Sequence, residues 1–216
     1  MQKTKIEWAD YTFNPLVGCK HNCEYCYARK MNDRFKWIPK WTEPKFYPTR
    51  LKEPFRIKKA SRIFVGSMTD LFGDWVESEK IELVLRVAQQ NPQHEFLFLT
   101  KNPKRYAEFD LSFSDNCFLG TTITSPKEYK RAEELLTAAR HQRIFLSIEP
   151  LLEPIDLKEI AIPKRCIDWI IVGGLTPKIT HEREWVDDII QKAREYKIPL
   201  FLKSNLKYGK IIQEVV

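Results

Sequence analysis

From Arg62 onward the chain alternates between two patterns. Short apolar runs rich in Ile, Val and Phe occur at Ile63–Gly66, Glu95–Leu99, Cys117–Thr121, Arg143–Ser147, Trp169–Val172 and Pro199–Leu202. They are nearly continuous rather than alternating, as expected of strands covered on both faces in a parallel sheet. Between most of them the apolar residues follow a helical period. Glu79–Gln90 places Ile81, Val84, Leu85 and Ala88 on one stripe, and Glu184–Tyr196 does the same with Trp185, Ile189 and Ala193. Ser125-Pro126-Lys127-Glu128 matches a capping box with Pro at the first helical position and predicts a helix reaching Arg140. Upstream, Tyr11–Val17 reads as a first strand and Tyr27–Phe35 as a helix.

Seven strands with intervening helices predict an α/β fold, a single-domain (β/α) barrel over residues 1–216 with parallel strands. The chain is shorter than the roughly 250 residues of a closed eightfold barrel, so the barrel is expected to be partial or open. A doubly wound open sheet is the other arrangement compatible with this order. No linker, repeat or low-complexity segment interrupts the pattern.

Residues 36–62 break the rhythm. Pro39, Pro44, Pro48 and Pro54 preclude a continuous helix there, and a connection this long inside a compact domain is usually functional. The overall charge of +7 is concentrated nearby. Arg29 to Arg62 holds 12 Lys and Arg against three Asp and Glu, a net of +9, with Trp37, Trp41, Phe46, Tyr47 and Phe55 among them. Basic residues with interleaved aromatics suit a phosphate backbone and base stacking. A solvated loop whose rings pack back onto the core would give the same composition.

No apolar run approaches membrane-spanning length, and Met1 to Trp8 lacks the apolar core of a signal peptide. Five cysteines, an odd number without an export signal, point to a reducing cytoplasm in which thiolates can bind metal.

Three of those cysteines, Cys19, Cys23 and Cys26, fall within the loop 18–29 at spacing Cys-x3-Cys-x2-Cys. Three thiols cannot pair among themselves, and their closeness suits one metal centre. Zinc would require a fourth protein ligand, such as His21 or a distant histidine. An iron–sulfur cluster normally takes four cysteines, so three would leave one iron open to an exogenous ligand. Cys117 and Cys166, near the starts of later strands, are expected to be inert thiols. No P-loop, Gly-x-Ser-x-Gly or His-Glu-x-x-His pattern occurs.

The predicted strand ends are polar, which folding alone does not require. They read Ser67-Met68-Thr69-Asp70, Thr100-Lys101, Thr121-Thr122, Ser147-Ile148-Glu149, Gly173-Gly174 and Lys203-Ser204-Asn205. Barrel chemistry gathers at such ends. Ser147 and Glu149, two apart on a strand, share one face.

The cysteine octet, with Tyr25 just before the third cysteine, resembles the signature of the radical S-adenosylmethionine (SAM) superfamily. The resemblance extends through Ile6-Glu7-Trp8, Phe13-Asn14-Pro15, Ser67–Phe72, Leu99-Thr100-Lys101, Leu119-Gly120, Leu146–Leu152, Trp169–Gly174 and Phe201-Leu202-Lys203. Together these are similar to a phage-associated three-cysteine family of unestablished reaction, itself distantly similar to spore photoproduct lyase, a DNA-repair radical enzyme. One departure is Leu175-Thr176-Pro177, where members often continue Gly-Gly with Glu-Ser-Gly.

The resemblance implies a 4Fe-4S cluster on Cys19, Cys23 and Cys26. It also implies SAM chelated at the open iron and reductively cleaved to a 5′-deoxyadenosyl radical that abstracts hydrogen from a substrate. Tyr25 would stand beside the adenine. Ser67, Thr69, Asp70, Thr122, Ser147, Glu149, Gly173 and Gly174 are the expected SAM contacts. Lys101 and Lys203 are the expected contacts to an anionic substrate group or to the SAM carboxylate. An external electron donor of the flavodoxin or ferredoxin type is implied, and a nucleic acid or nucleotide is the leading substrate class. The rival is a zinc-stabilised, non-catalytic nucleic-acid-binding protein.

Overall fold

The computed structural model describes residues 1–160 and 167–216. All seven expected parallel strands are found among them. The chain forms two compact units, residues 1–118 and 119–216, and the division falls inside a strand.

In the first unit, β1 (Gln2–Lys3) runs antiparallel to β2 (Tyr11–Phe13). The expected first strand is in fact two pieces. After β2 the chain leaves the sheet, and β3 (Leu16–Val17) pairs antiparallel with β4 (Lys45–Phe46) from the Pro-rich connection. Pro15, which cannot donate to a ladder, sits at the break. Helix α1 (Tyr27–Phe35) falls at the expected positions. The connection contains only β4 and two short 3-10 turns, Pro48–Lys52 and Pro54–Arg56. Then β5 (Arg62–Val65) pairs parallel with β2, and β6 (Glu95–Thr100) parallel with β5, in the register Ile63 opposite Tyr11 and Phe96. Ile63, Phe64 and Val65 are all buried, which is why this strand reads as a continuous apolar run.

Helix α2 (Ser78–Gln89) lays Ile81, Val84, Leu85 and Ala88 on the core. Each of the three larger side chains contributes about 1.5–3 kcal/mol by leaving water, and the Ala88 methyl less. Phe72 packs edge-on against Tyr106, Phe98 and Phe109. Buried Arg105 donates to the carbonyls of Gly73 and Val76, and Asn102 donates to the carbonyl of Phe72. The segment after β5 is thereby held from the segment after β6.

In the second unit the strand order is β7 (Cys117–Thr122), β8 (Arg143–Ile148), β9 (Trp169–Val172) and β10 (Leu200–Leu202). The β8–β9 and β9–β10 pairs are parallel. Trp169, fully buried, lies between Phe145 and Phe201 and donates its indole N–H to the carbonyl of Glu214. Helix α3 spans Tyr129–Ala138, after a 3-10 turn at Pro126–Glu128. The capping box does not form there. The Ser125 side chain makes no cap bond, and the Glu128 carboxylate instead accepts from the backbone N–H and the hydroxyl of Thr124. Helix α4 (Arg183–Glu195) buries Val186, Ile189, Ile190 and Ala193, with Trp185 half-buried at the edge of that stripe.

Candidate functional site

The cysteine loop begins at Gly18, whose φ of +107° favours glycine. A Cβ there would lie 2.8 Å from the carbonyl oxygen of Trp41 and 2.9 Å from Pro44 Cα. Gly18 N–H donates to the carbonyl of Met68 and Cys19 N–H to that of Trp41, while the Thr69 hydroxyl donates to the carbonyl of Gly18 at 2.6 Å. The loop is therefore pinned from both the segment after β5 and the Pro-rich connection. Farther along, Arg29 reaches back to the Asn22 side chain and the Cys23 carbonyl. The Cys26 sulfur caps α1 by accepting from Arg29 N–H at 3.3 Å.

Cys19, Cys23 and Cys26 are free and partly exposed, and Cys19 and Cys26 rest against an apolar cluster of Val17, Ala28, Ile38, Trp41 and Met68. Burial pushes the Cys19 pKa from 9.0 up to about 12, so without a cation its sulfur is a neutral thiol. Among the described residues, no three His, Cys, Asp or Glu side chains stand together so as to hold a metal ion. The donor set still fits a centre of thiolate ligands. Three soft sulfurs lie on one anchored loop, and a metal would supply the positive charge that the Cys19 environment lacks. His21 is committed elsewhere, since its Nε2 lies 2.7 Å from Asp70 Oδ2.

Asp70 is the hub of the first unit. Its Oδ2 also accepts from Lys101 N–H at 2.8 Å, and its Oδ1 accepts from the Thr100 hydroxyl at 2.7 Å and Phe72 N–H at 3.1 Å. Burial raises its pKa, but the His21 contact, the Lys101 N–H and the Thr100 hydroxyl outweigh that and hold the carboxyl below its ordinary value. Two donors on each oxygen leave the carboxylate fully engaged. Ser67 exchanges hydrogen bonds with the Asn14 side chain, and Tyr27 OH donates to the Ser67 carbonyl. Tyr25 and Lys101 meet: Lys101 Nζ donates to Tyr25 OH at 2.7 Å and lies 5.3 Å from the ring centroid.

In the second unit, Glu149 forms an ion pair with Lys203. Gly173 makes room for it, because a Cβ there would lie 2.8 Å from the Glu149 carboxyl carbon. Asn205 brackets Gly174, accepting from its N–H and donating to its carbonyl, and His181 packs over the same glycine. Ser147 and Thr122 are buried at the ends of β8 and β7. Cys117 is fully buried; Cys166 lies outside the described residues. Asn14, Thr100 and Asn205 were not singled out by sequence. Each lies within a polar strand end or a short motif, but their contacts join residues 30 or more apart.

The model of a family described as protein of unknown function (DUF5131) matches residues 3–214. The chain belongs to this family. It is 26% identical over 151 residues to the uncharacterized protein MJ0683 of Methanocaldococcus jannaschii, a match covering 62% of the chain; the chain spans 57% of the length of that curated relative. Among solved structures, spore photoproduct lyase with bound AdoMet and dinucleoside spore photoproduct matches with a TM-score of 0.68 at 10% identity, covering 93% of this chain and 78% of that one. The same enzyme complexed with dinucleoside spore photoproduct gives 0.67 at 10% identity and the same coverage. This DUF5131 member therefore has a partial (β/α)-barrel fold like that of spore photoproduct lyase. No described helix is long and apolar enough to cross a membrane.

Proposed function

We propose that this chain is a radical SAM enzyme in which Cys19, Cys23 and Cys26 hold one 4Fe-4S cluster, with a nucleic acid or nucleotide as substrate. The observation that carries the proposal is the cysteine loop itself, three thiols on a segment pinned by Thr69 and braced by the His21–Asp70 contact. The fold shared with an enzyme solved with AdoMet and a dinucleoside supports both the cofactor and the substrate class. When bound and reduced by an electron donor of the flavodoxin or ferredoxin type, the cluster would supply the electron that cleaves SAM to a 5′-deoxyadenosyl radical.

The protein's own part is to hold and orient. Asp70 and Thr69, expected as SAM contacts, would instead position the loop, since both Asp70 oxygens and the Thr69 hydroxyl proton are engaged by protein partners. Tyr25, tethered by Lys101, offers its ring to the adenine. Glu149 and Lys203 together carry the charges that complement the ammonium and carboxylate of SAM's amino-acid end. Ser147 and Thr122 would line the same cofactor, while Gly173 and Gly174 make room for Glu149 and for Asn205 and His181, respectively.

The test is anaerobic reconstitution followed by iron analysis and an assay for 5′-deoxyadenosine. Wild type should bind four irons per chain and cleave SAM under reduction, whereas replacing any one of the three cysteines with Ala should abolish both. A colourless protein that takes up zinc and leaves SAM intact would overturn the proposal in favour of the metal-stabilised binding protein.

A further inference from the structure

Helix α1 buries only Ala28 and Asn32, and Asn32 is spent on the backbone of Ile38, accepting from its N–H and donating to its carbonyl. The adjoining stripe carries Tyr27, Met31 and Phe35 at successive i, i+4 positions. They are 51%, 39% and 52% exposed, and Trp37 just beyond the helix is 46% exposed. Phe35 and Trp37 stack with ring centroids 5.4 Å apart and planes 20° apart, and the Arg34 guanidinium lies 5.2 Å from the Phe35 centroid. Trp41, four residues on, is buried at 7% in the loop-supporting cluster. Folding therefore accounts for Trp41 and leaves Phe35 and Trp37 unexplained. Contiguous exposed apolar groups of this kind mark interaction surfaces.

We infer that the outward face of α1, with Phe35 and Trp37 as a stacking platform among Lys30, Arg34 and Lys36, docks single-stranded nucleic acid. The inference rests on the function proposed above only for its choice of a nucleic-acid substrate. The charge is complementary: residues 27–40 hold five Lys and Arg against Asp33 alone. No salt bridge among the described residues involves Lys30, Arg34 or Lys36. Two nearly parallel rings offer planar faces to unpaired bases, which in a duplex are stacked on their own neighbours and out of reach. Cys26 caps the N-terminus of this helix, so a strand lying along it approaches the cysteine loop. An acidic redox protein would meet the same positive charge but would not need stacked rings.

The experiment measures fluorescence anisotropy of labelled oligothymidine, oligouridine and a DNA duplex against the anaerobically reconstituted full chain, with thermal melts of every variant. Single strands should bind more tightly than the duplex. W37A and F35A should each weaken single-strand binding by about five- to 150-fold while leaving the melting temperature nearly unchanged. R34Q should make the dependence of log affinity on log salt shallower by about one. Ring substitutions that leave single-strand affinity unchanged overturn the inference. So does saturable binding of an acidic flavodoxin, lost in the same variants, with no binding of oligonucleotides. Ring-dependent binding by a chain that takes up no iron would keep the surface and remove the radical SAM proposal. An iron-loaded, SAM-cleaving chain that ignores every oligonucleotide would do the reverse.

Discussion

Replacing Asp70 with Asn tests how the cysteine loop is held. The carboxylate is buried and accepts four hydrogen bonds, His21 Nε2 and Lys101 N–H on one oxygen, Thr100 hydroxyl and Phe72 N–H on the other. An amide of the same shape must turn its NH2 toward one of these pairs. The hydroxyl of Thr100 can rotate to accept, and the His21 ring can change tautomer, but neither backbone N–H can reverse. Whichever way the amide turns, one buried N–H faces another donor. Such an unsatisfied group costs about 1–3 kcal/mol, and the charge assistance of the remaining bonds is also lost, so the expected destabilisation is about 2–4 kcal/mol. For a chain of this length that lowers the melting temperature by about 5–15 °C. The pH dependence has a definite sign. The folded pKa lies below the ordinary value of 3.8, so the stabilisation is present above that value and is lost as pH falls through the folded pKa. The assay is urea unfolding of wild type and D70N, both metal-free, at neutral pH and at successively lower pH. The gap should be full at neutrality and close in acid. Equal stability at neutral pH would refute the network.

Burial of Cys19 makes it a protonated thiol in the metal-free fold, with a pKa pushed from 9.0 to about 12. Its alkylation at mildly alkaline pH, followed by mass spectrometry, should run about ten- to a hundredfold slower than in the denatured chain, the loss of thiolate being partly offset by the greater nucleophilicity of a more basic sulfur; equal rates would mean that its environment is open to water. E149Q should weaken SAM binding about ten- to a hundredfold, the worth of one charge-assisted hydrogen bond, while leaving iron content intact. Calorimetric titration of SAM into reconstituted protein checks this, and unchanged affinity would assign Glu149 solely to its ion pair with Lys203.

The strands were legible because burial on both faces leaves an uninterrupted apolar run, and β5 through β10 lie within a residue or two of their expected positions. Helix α1 was equally plain. Shorter features escaped: β1 has two residues, too few to show a period, and the departure of β3 from the main sheet depends on a partner strand near residue 45. The capping box at Ser125 failed because the Glu128 carboxylate accepts from the N–H and hydroxyl of Thr124 instead, a choice between neighbouring donors that spacing does not register.

The metal-centre proposal came from the cysteine octet by itself, since three thiols within eight residues are visible in the spacing alone. What holds that octet was decided by tertiary structure. His21 reaches Asp70 across 49 positions, Thr69 reaches Gly18 across 51, and Lys101 reaches Tyr25 across 76. Strand register and crossovers set such contacts, and one sequence carries no local trace of them. The two tryptophans of the basic segment show the same limit. Trp37 and Trp41 have similar neighbours in sequence, yet the path of the chain past Gly18 buries one in the loop's supporting cluster and leaves the other in water, stacked on Phe35.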